Sequence, residues 1–188
     1  IYEHVLSFLA FYRKIGGSYI IHDEGMIFFK SKNTTQPIQI ETGTHPCFMT
    51  DWQQIFTVAL TQHNASSTIH ETVYENRFEF IHTLNEMGAN ITPHTTCLGI
   101  KECRFKNKGS IHSISIEGPT ELHSIKIDIP DLRAGFSYVL AALIANGQSE
   151  IGNLQYLDRG YENIYHQLSV LNADVQLVES SPTALNRS

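Results

Sequence analysis

A short cassette in which a helical pattern stops and a strand pattern begins occurs three times in this chain. It stands at Ile15–Ser18, Met87–Asn90 and Leu171–Asp174, so its copies are 72 and 84 residues apart. In each copy an apolar residue precedes a glycine or asparagine, the residues that most readily adopt left-handed backbone at a helix C-terminus. Because these periods exceed those of solenoid repeats, we expect a few supersecondary units packed around a shared core.

A second internal match links two helical segments and their flanking strands. The helix predicted from Trp52 to His63 aligns with the helix that contains Gly135–Leu140, which places Asp51 opposite Asp131, 80 residues later. Strand patterns flank the two helices at Ile38–Thr42, Ser67–Glu71, Ser124–Ile129 and Ser149–Gly152. The repeated unit is therefore predicted to run strand, helix, strand, helix, strand, strand, which is a mixed α/β (α+β) fold.

The repeats divide the chain into half a unit, 1–30, and two whole units, 36–101 and 111–178. The half unit holds a helix and a hairpin, predicted at Tyr2–Ile15, Ser18–His22 and Met26–Phe29. The whole units end in helices and strands, predicted at Glu75–Met87, Cys97–Ile100, Glu162–Leu171 and Ala173–Val178. Residues 1–179 are thus predicted to be one domain truncated at its N-terminal end, with roughly 35 residues of it upstream, and 180–188 a flexible tail.

The overall charge argues against a nucleic-acid partner. Thirteen basic residues stand against 19 acidic ones, for a net charge of −6, so the chain lacks the broad basic surface of a nucleic-acid binder. No stretch is apolar for long enough to span a membrane, and the first 15 residues carry too many charges for a signal peptide. We therefore predict a cytoplasmic protein with no nucleic-acid and no membrane partner.

Cysteine and histidine spacing predicts neither a metal site nor a cofactor. The three cysteines, Cys47, Cys97 and Cys103, form no CxxC pair, which argues against a disulfide scaffold and a zinc knuckle and fits a reducing compartment. The ten histidines show no HExxH or paired ligand spacing, so we expect them to be scattered over the surface. Cys47 is expected to be a buried or incidental thiol rather than a reactive one.

Four segments rich in polar residues lie where a strand is predicted to pass into a helix. They are Thr50–Gln54, Glu71–Phe78, Pro130–Gly135 and Leu157–Glu162. Helix N-termini at one end of a sheet attract anions, because their backbone N–H groups and the helix dipole both favour negative charge. The four junctions are therefore candidate parts of one ligand site.

Three arginines, Arg77, Arg133 and Arg159, stand at these junctions, and guanidinium groups suit phosphate and carboxylate ligands. The alternative for each arginine is a solvated or ion-paired surface residue. For Asp51 and Asp131 the alternative is a helix cap, a role that aspartate often plays. From the residues alone, the chain is predicted to be an anion-binding α/β domain.

The combination of TDWQQ, ETVYENRF, PDLRAG and LDRGYE, in this order and spacing, resembles the C-terminal half of the UDP-N-acetylglucosamine 1-carboxyvinyltransferase family of enolpyruvyl transferases. The resemblance runs from about Tyr2 to Glu179. It implies repeated βαβαββ units that form an inside-out α/β barrel, with the substrate cleft between two such domains. It also implies transfer of the enolpyruvyl group of phosphoenolpyruvate to the 3-hydroxyl of UDP-N-acetylglucosamine, the first committed step of peptidoglycan synthesis.

The resemblance also implies a role for six residues of this chain. Asp51 would bind the sugar 3-hydroxyl and act as its general base, Val73 would touch the nucleotide sugar through its backbone, and Arg77 belongs to the same substrate-side motif. Arg133 and Arg159 would face phosphoenolpyruvate, with Arg159 stabilising the charge on the departing phosphate. Asp131 matches an acidic residue of the same cleft.

Two features of the resembled family have no counterpart in this sequence. They are a Lys-Asn pair near the N-terminus and a mobile loop that carries the proton donor, both in the family's other domain. We therefore expect that N-terminal domain to be a partner and the isolated chain to be inactive. The alternatives are a non-catalytic sugar-nucleotide-binding or structural remnant of the fold, and the shikimate-pathway enolpyruvyl transferase, which ETVYENRF and LDRGYE disfavour.

Overall fold

A computed structural model describes residues 2–29, 34–100 and 102–178. Six α-helices are seen in these ranges: α1 Leu6–Lys14, α2 Gln53–Thr61, α3 Ile81–Glu86, α4 Leu132–Ile144, α5 Gln155–Asp158 and α6 Ile164–Val170. Nine strands are seen there as well: β1 Ser18–His22, β2 Gly25–Phe29, β3 Ile38–Gly43, β4 Phe48–Met49, β5 Ser66–His70, β6 Ile91–His94, β7 Ser113–Glu117, β8 Lys126–Asp128 and β9 Glu150–Gly152. The predicted tail, 180–188, lies outside the described residues.

The N-terminal half unit has the predicted order of helix, strand, strand. A 3₁₀ turn at Tyr2–Val5 leads into α1, and β1 and β2 form an antiparallel hairpin. Phe8 and Phe11 of α1 meet the ring of Phe56 in α2 edge-on, at centroid distances of 5.7 and 6.4 Å. Edge-to-face contacts of this kind add to the burial of apolar area, so the half unit is anchored to α2.

The middle sheet has five strands in the order β4-β3-β5-β7-β6. Strand β3 is parallel to β5, whereas β7 is antiparallel to both β5 and β6. The register places Ile40 opposite Ile69, and Ile69 opposite Ile114, and all three side chains are fully buried. Period-two alternation of isoleucine in these strands gives the sheet its apolar face, on which α2 packs.

The last strand of the middle sheet in chain order lies further along the sequence than predicted. Residues 97–100 form no strand, because the backbone turns there and the N–H of Leu98 bonds to the Ser113 hydroxyl. The last strand to join this sheet along the chain is β7, which lies between β5 and β6 and adds the buried side chains of Ile114 and Ile116 to the apolar face. Strand β7 therefore belongs to the middle sheet, although it follows residue 111, where the last unit is predicted to start.

The last unit is only partly built as predicted. Strand β8 leads into α4, β9 pairs with β8 in parallel, and α6 follows, in the expected order. The prediction of a strand at Ala173–Val178 is wrong, since these residues pair with no strand in the described part of the chain. The mixed α/β class is confirmed, but the described strands form three separate sheets and not a closed barrel.

Within the described ranges, no helix combines the length and the apolar character that crossing a bilayer requires.

Gly118, directly after β7, lies close against the backbone at the C-terminal end of α2. A Cβ on this residue would lie 2.4 Å from the carbonyl oxygen of His63 and 2.8 Å from that of Leu60. Backbone carbonyl oxygens cannot move aside as the end of a flexible side chain can, so the clash persists. Gly118→Ala is therefore expected to lower the free energy of unfolding by about 1–3 kcal/mol. Urea denaturation measures the change. Glu117→Ala, at the exposed neighbouring position, is the control and should stay within about 0.5 kcal/mol of the parent; equal effects of the two changes would contradict the prediction.

Candidate functional site

Asp51 lies in the 3₁₀ turn Thr50–Trp52, between β4 and α2. Its Oδ1 accepts a hydrogen bond of 2.6 Å from Nη2 of Arg77, and 69% of its side chain is exposed. Neither the 3₁₀ turn nor α2 has a side-chain cap bond, so Asp51 does not act as a helix cap. The carboxylate is held by an arginine while remaining open to a ligand.

The guanidinium of Arg77 is buried and fixed on several sides. Nη1 donates to the Thr50 hydroxyl at 2.8 Å, and the guanidinium carbon lies 5.0 Å from the centroid of the Tyr74 ring. The backbone carbonyl of Arg77 accepts from the side-chain amide of Gln53 at 3.3 Å. Arg77 is therefore not a solvated surface residue; its planar group is pre-positioned to orient the Asp51 carboxylate.

Glu71 organises this junction and was not among the predicted site residues. Its carboxylate is fully buried at the end of β5 and accepts four hydrogen bonds. Thr42 Oγ1 donates to Oε1 at 2.9 Å and Thr50 Oγ1 to Oε2 at 2.7 Å. The backbone N–H groups of Val73 and Tyr74 donate to Oε1 at 2.7 and 3.1 Å. One carboxylate thus sets both the turn after β5 and the position of the hydroxyl that receives Arg77.

Both backbone polar groups of Val73 are engaged within the chain. The N–H bonds to Glu71, and the carbonyl accepts from Nη2 of Arg104, in the loop between β6 and β7. A second contact from this loop, 3.3 Å between Lys108 Nζ and Glu75 Oε1, lies beside the first. Because Arg104 is exposed, a ligand that approaches the Val73 carbonyl can displace it without opening the core.

The junction Pro130–Gly135, which the repeat aligns with Thr50–Gln54, contacts Asp51. Asp131 is the N-cap of α4, and its Oδ1 accepts from the N–H groups of Arg133 at 2.7 Å and Ala134 at 3.1 Å. The geometry therefore gives Asp131 a capping role. Arg133 Nε lies 4.0 Å from Asp51 Oδ1, with 61% of its side chain exposed. Asp51 is thus flanked by one buried and one exposed guanidinium.

Arg159 follows α5, on the segment that packs beside the start of α4. Gly160 lies against Leu132, since a Cβ on Gly160 would be 2.3 Å from Leu132 Cδ1. Arg159 is exposed and forms no ion pair with another described residue. The structure therefore brings the Arg159 segment to the Arg133 junction by packing, without a direct contact of Arg159 with Asp51.

Tyr161 belongs to this region although the sequence did not single it out. Its ring stacks on Phe136 of α4 at a centroid distance of 4.7 Å. Burial, and secondly the negative charge of Asp51, raise the pKa of the Tyr161 phenol. The phenol therefore stays protonated at neutral pH and is a hydrogen-bond donor close to the carboxylate.

The arrangement suits a ligand with a hydroxyl group and negative charge. Both arginine contacts are made to Oδ1 of Asp51, which leaves Oδ2 as the oxygen that can accept a proton or hydrogen bond from an alcohol. Exposed Arg133 offers a fork of donors to an anion beside it.

A second polar group includes His70, the residue that precedes Glu71. His70, Cys97, Cys103 and His112 bring four possible metal-ligand atoms within 4.8 Å of one another. The expectation of surface histidines is wrong for His70 and His112, which are both fully buried, and for His63, which is 5% exposed. Cys47, by contrast, is exposed in the loop before β4.

A comparison with protein families identifies one match that covers most of the chain. The model of the family described as EPSP synthase (3-phosphoshikimate 1-carboxyvinyltransferase) matches residues 4–168. Curated relatives named UDP-N-acetylglucosamine 1-carboxyvinyltransferase are 49% identical in Protochlamydia amoebophila, 46% in Chlamydia trachomatis and 43% in Chlamydia pneumoniae. These alignments cover 94%, 93% and 99% of this chain but 38%, 39% and 41% of the relatives. The chain therefore spans about two fifths of their length.

Solved structures show the same fold at low sequence identity. The enolpyruvyl transferase NikO from Streptomyces tendae superposes with a TM-score of 0.75 at 20% identity, over 92% of this chain and 36% of that protein. EPSP synthase from Acinetobacter baumannii superposes with a TM-score of 0.52 at 21% identity, over 78% of this chain and 31% of that one.

Proposed function

This chain belongs to the EPSP synthase family of carboxyvinyl transferases, and we propose that its Asp51 site takes part in enolpyruvyl transfer to UDP-N-acetylglucosamine. The observation that carries the proposal is the exposed Asp51 carboxylate between Arg77 and Arg133. The acceptor is inferred from the curated relatives at 43–49% identity, whose names all specify this sugar nucleotide.

In the proposed reaction, Asp51 is the general base. Its carboxylate takes the proton of the sugar 3-hydroxyl while the sugar oxygen forms a bond to C2 of phosphoenolpyruvate and C3 gains a proton from a separate donor. The tetrahedral adduct then loses a proton from C3, and the bond between C2 and the phosphate oxygen breaks. This releases inorganic phosphate and leaves the enolpyruvyl ether. None of the residues proposed here is the donor to C3.

The arginines have different parts in this proposal. Arg77 is a positioning residue, because it is buried and acts on the substrate through Asp51. Arg133 and Arg159 bind the phosphate and carboxylate of phosphoenolpyruvate, with Arg159 stabilising the departing phosphate; both are exposed beside the start of α4. Asp131 supports Arg133 by capping that helix.

Val73 is proposed to contact the nucleotide sugar through its backbone carbonyl. In this proposal the ligand displaces Arg104 from that oxygen, and the freed guanidinium is then available to the diphosphate of the same ligand. Arg104 is therefore proposed as a further residue of the substrate site, in addition to those indicated by the sequence.

The wider role follows from the acceptor. We propose that the chain works with a second domain of the same family type in the cytoplasm, in peptidoglycan synthesis, and so in cell-wall biogenesis and the maintenance of cell shape. The domain division of 1–179 remains part of this proposal. The three cysteines form no disulfide, which supports a reducing compartment, and the net charge of −6 supports the absence of a nucleic-acid partner.

Phosphate release by the gene product that contains this chain tests the proposal. Release from phosphoenolpyruvate is expected with UDP-N-acetylglucosamine as acceptor and not with shikimate 3-phosphate. Arg133→Gln should raise the KM for phosphoenolpyruvate about 10- to 100-fold, since a charge-assisted hydrogen bond contributes about 1.5–3 kcal/mol.

Arg13→Gln, in α1, is the matched control and should leave the KM unchanged. Release with shikimate 3-phosphate alone would overturn the proposed acceptor. No release with either acceptor, although UDP-N-acetylglucosamine binds, would favour a non-catalytic protein of this fold.

A further inference from the structure

Four metal-ligating side chains that are far apart in sequence converge beside the end of β5. His70 is the last residue of β5, Cys97 and Cys103 follow β6, and His112 directly precedes β7. The two Sγ atoms are 3.6 Å apart, and Cys97 Sγ is 3.5 Å from Nε2 of His112. No other group of this kind is found in the described ranges 2–29, 34–100 and 102–178.

These separations fit the edges of a small tetrahedron. With zinc bonds of about 2.3 Å to sulfur and about 2.0–2.1 Å to nitrogen, tetrahedral ligand atoms lie roughly 3.3–3.8 Å apart. The measured sulfur–sulfur and sulfur–nitrogen distances fall in this range, and the remaining ligand atoms are within 4.8 Å of one another. Small side-chain rotations would therefore complete the coordination shell.

His70 supplies an independent observation. Its side chain is fully buried, and neither ring nitrogen has a hydrogen-bond partner. The carboxylate of Glu41 approaches Nδ1 to 3.7 Å, which is beyond hydrogen-bond distance. A buried polar atom without a partner costs about 1–3 kcal/mol, so the His70 ring calls for a partner outside the protein chain, either a water molecule or a metal ion. A bound metal ion would remove that cost.

His112 is already oriented as a metal ligand. Its Nδ1 lies 2.9 Å from the carbonyl oxygen of Ser110, a contact in which Nδ1 must be the donor. The neutral ring then carries its lone pair on Nε2, the atom that faces Cys97 Sγ. Metal-bound histidines in proteins are typically held by such a bond from the other ring nitrogen.

We propose that His70, Cys97, Cys103 and His112 bind one zinc ion as a closed structural site. Two sulfur and two nitrogen ligands in a tetrahedron favour zinc over harder cations such as magnesium or calcium. Binding converts both thiols to thiolates and releases two protons to solvent, with no change of oxidation state. With all four ligands from protein, the ion has no open position for substrate.

The ion would fasten the loop between β6 and β7 to the central strand β5. Cys103 lies in this loop together with Arg104, which contacts the Val73 carbonyl, and His70 is adjacent to Glu71. The bound ion would therefore stabilise the two elements that support the Asp51 junction, the Arg104 loop and the end of β5. This inference goes beyond the proposed enzymatic function and does not depend on it.

Metal analysis of the full chain tests the proposal. The protein is purified with a phosphine reductant and without chelator, and zinc is measured by mass spectrometry of the elements. About one zinc per chain is expected, and Cys97→Ser and His112→Ala should each lose most of it. Cys47→Ser, which alters the remaining cysteine at an exposed position, is the matched control and should retain zinc.

Two further measurements keep the test decisive if a variant fails to fold. Unfolding the parent chain and refolding it with cobalt(II) should produce the visible absorption of a tetrahedral thiolate site. A chelator should lower the Tm of the parent and of Cys47→Ser, and added zinc should restore both. The proposal is overturned by a folded parent that has free thiols and no zinc, by a Cys97–Cys103 disulfide under these conditions, or by full zinc content in folded Cys97→Ser.

Discussion

Replacing Asp51 by Asn should slow enolpyruvyl transfer by about 10²–10⁴-fold, the usual contribution of a positioned general base. Asparagine keeps the shape of the side chain and can still accept a hydrogen bond from Arg77, but it cannot take the proton of an alcohol. Because 69% of the Asp51 side chain is exposed, folding should be little affected. The measurement is kcat for phosphate release with saturating UDP-N-acetylglucosamine and phosphoenolpyruvate.

The control for this change is Asp23→Asn, in the turn between β1 and β2. It makes the same chemical change at an exposed position outside the proposed site and should leave kcat at the parent value. A kcat for Asp51→Asn within about threefold of the parent, well below the effect of a general base, would contradict the proposed role. The same assay at several pH values distinguishes two causes of a lower kcat. One is the loss of the general base, and the other is a change of the rate-limiting step.

Replacing Glu71 by Ala should lower the free energy of unfolding by about 3–5 kcal/mol. The buried carboxylate accepts four hydrogen bonds, so its removal leaves two hydroxyls and two backbone N–H groups without their partner. The turn that holds Val73 and the Thr50 hydroxyl that receives Arg77 both lose their anchor. Urea denaturation followed by circular dichroism measures the loss.

Glu75→Ala is the matched control, in the same segment. Its carboxylate is half exposed and contacts only Lys108 among the described residues at 3.3 Å, so a loss of less than about 1 kcal/mol is expected. If Glu71→Ala does not fold, Glu71→Gln should fold with an intermediate loss, since the amide oxygen can replace part of the acceptor capacity. Similar stabilities of the Glu71 and Glu75 variants would show that Glu71 does not organise the junction.

The sequence predicted most helices and strands because apolar periodicity and helix stops are local signals. The hairpin of β1 and β2 is confirmed, as are α2 and α4 with their flanking strands. The errors concern strands whose partners lie far away in sequence. Residues 97–100 and 173–178 carry strand-like residues, but pairing decides whether a strand forms, and β7 has the better apolar alternation for the open position in the middle sheet.

Prediction of the site was limited in the same way. The sequence placed Asp51, Arg77 and Arg133 at strand-to-helix junctions, and the structure brings these three together. Glu71 was missed because a glutamate after a strand looks ordinary until the hydroxyls and N–H groups around it are known. One signal was available, since Glu71 follows an apolar strand and precedes the Thr72-Val73 turn.

Sequence spacing could not predict the cluster of His70, Cys97, Cys103 and His112. Spacing rules recognise ligands that a short loop brings together, such as CxxC, whereas His70 and His112 are held by neighbouring strands β5 and β7. Only the antiparallel register, which places His70 opposite Ser113, brings the two histidines to the same end of the sheet. Long-range pairing therefore brings together a cluster of metal-ligating side chains that the sequence had argued against.

The order of strands in the middle sheet also determines which parts of the chain open first. Strands β5 and β7 are flanked on both sides, and their pairing joins residues 43 apart in sequence at its nearer end, where His70 lies opposite Ser113. Amide hydrogens in these two strands should exchange with solvent at the rate of global unfolding, whereas those of the two-stranded β1–β2 hairpin should exchange through local fluctuations. Within the described strands, the backbone that leads to Glu71 is thus expected to open later than the hairpin, and the proposed site is built on a region that loses its order late.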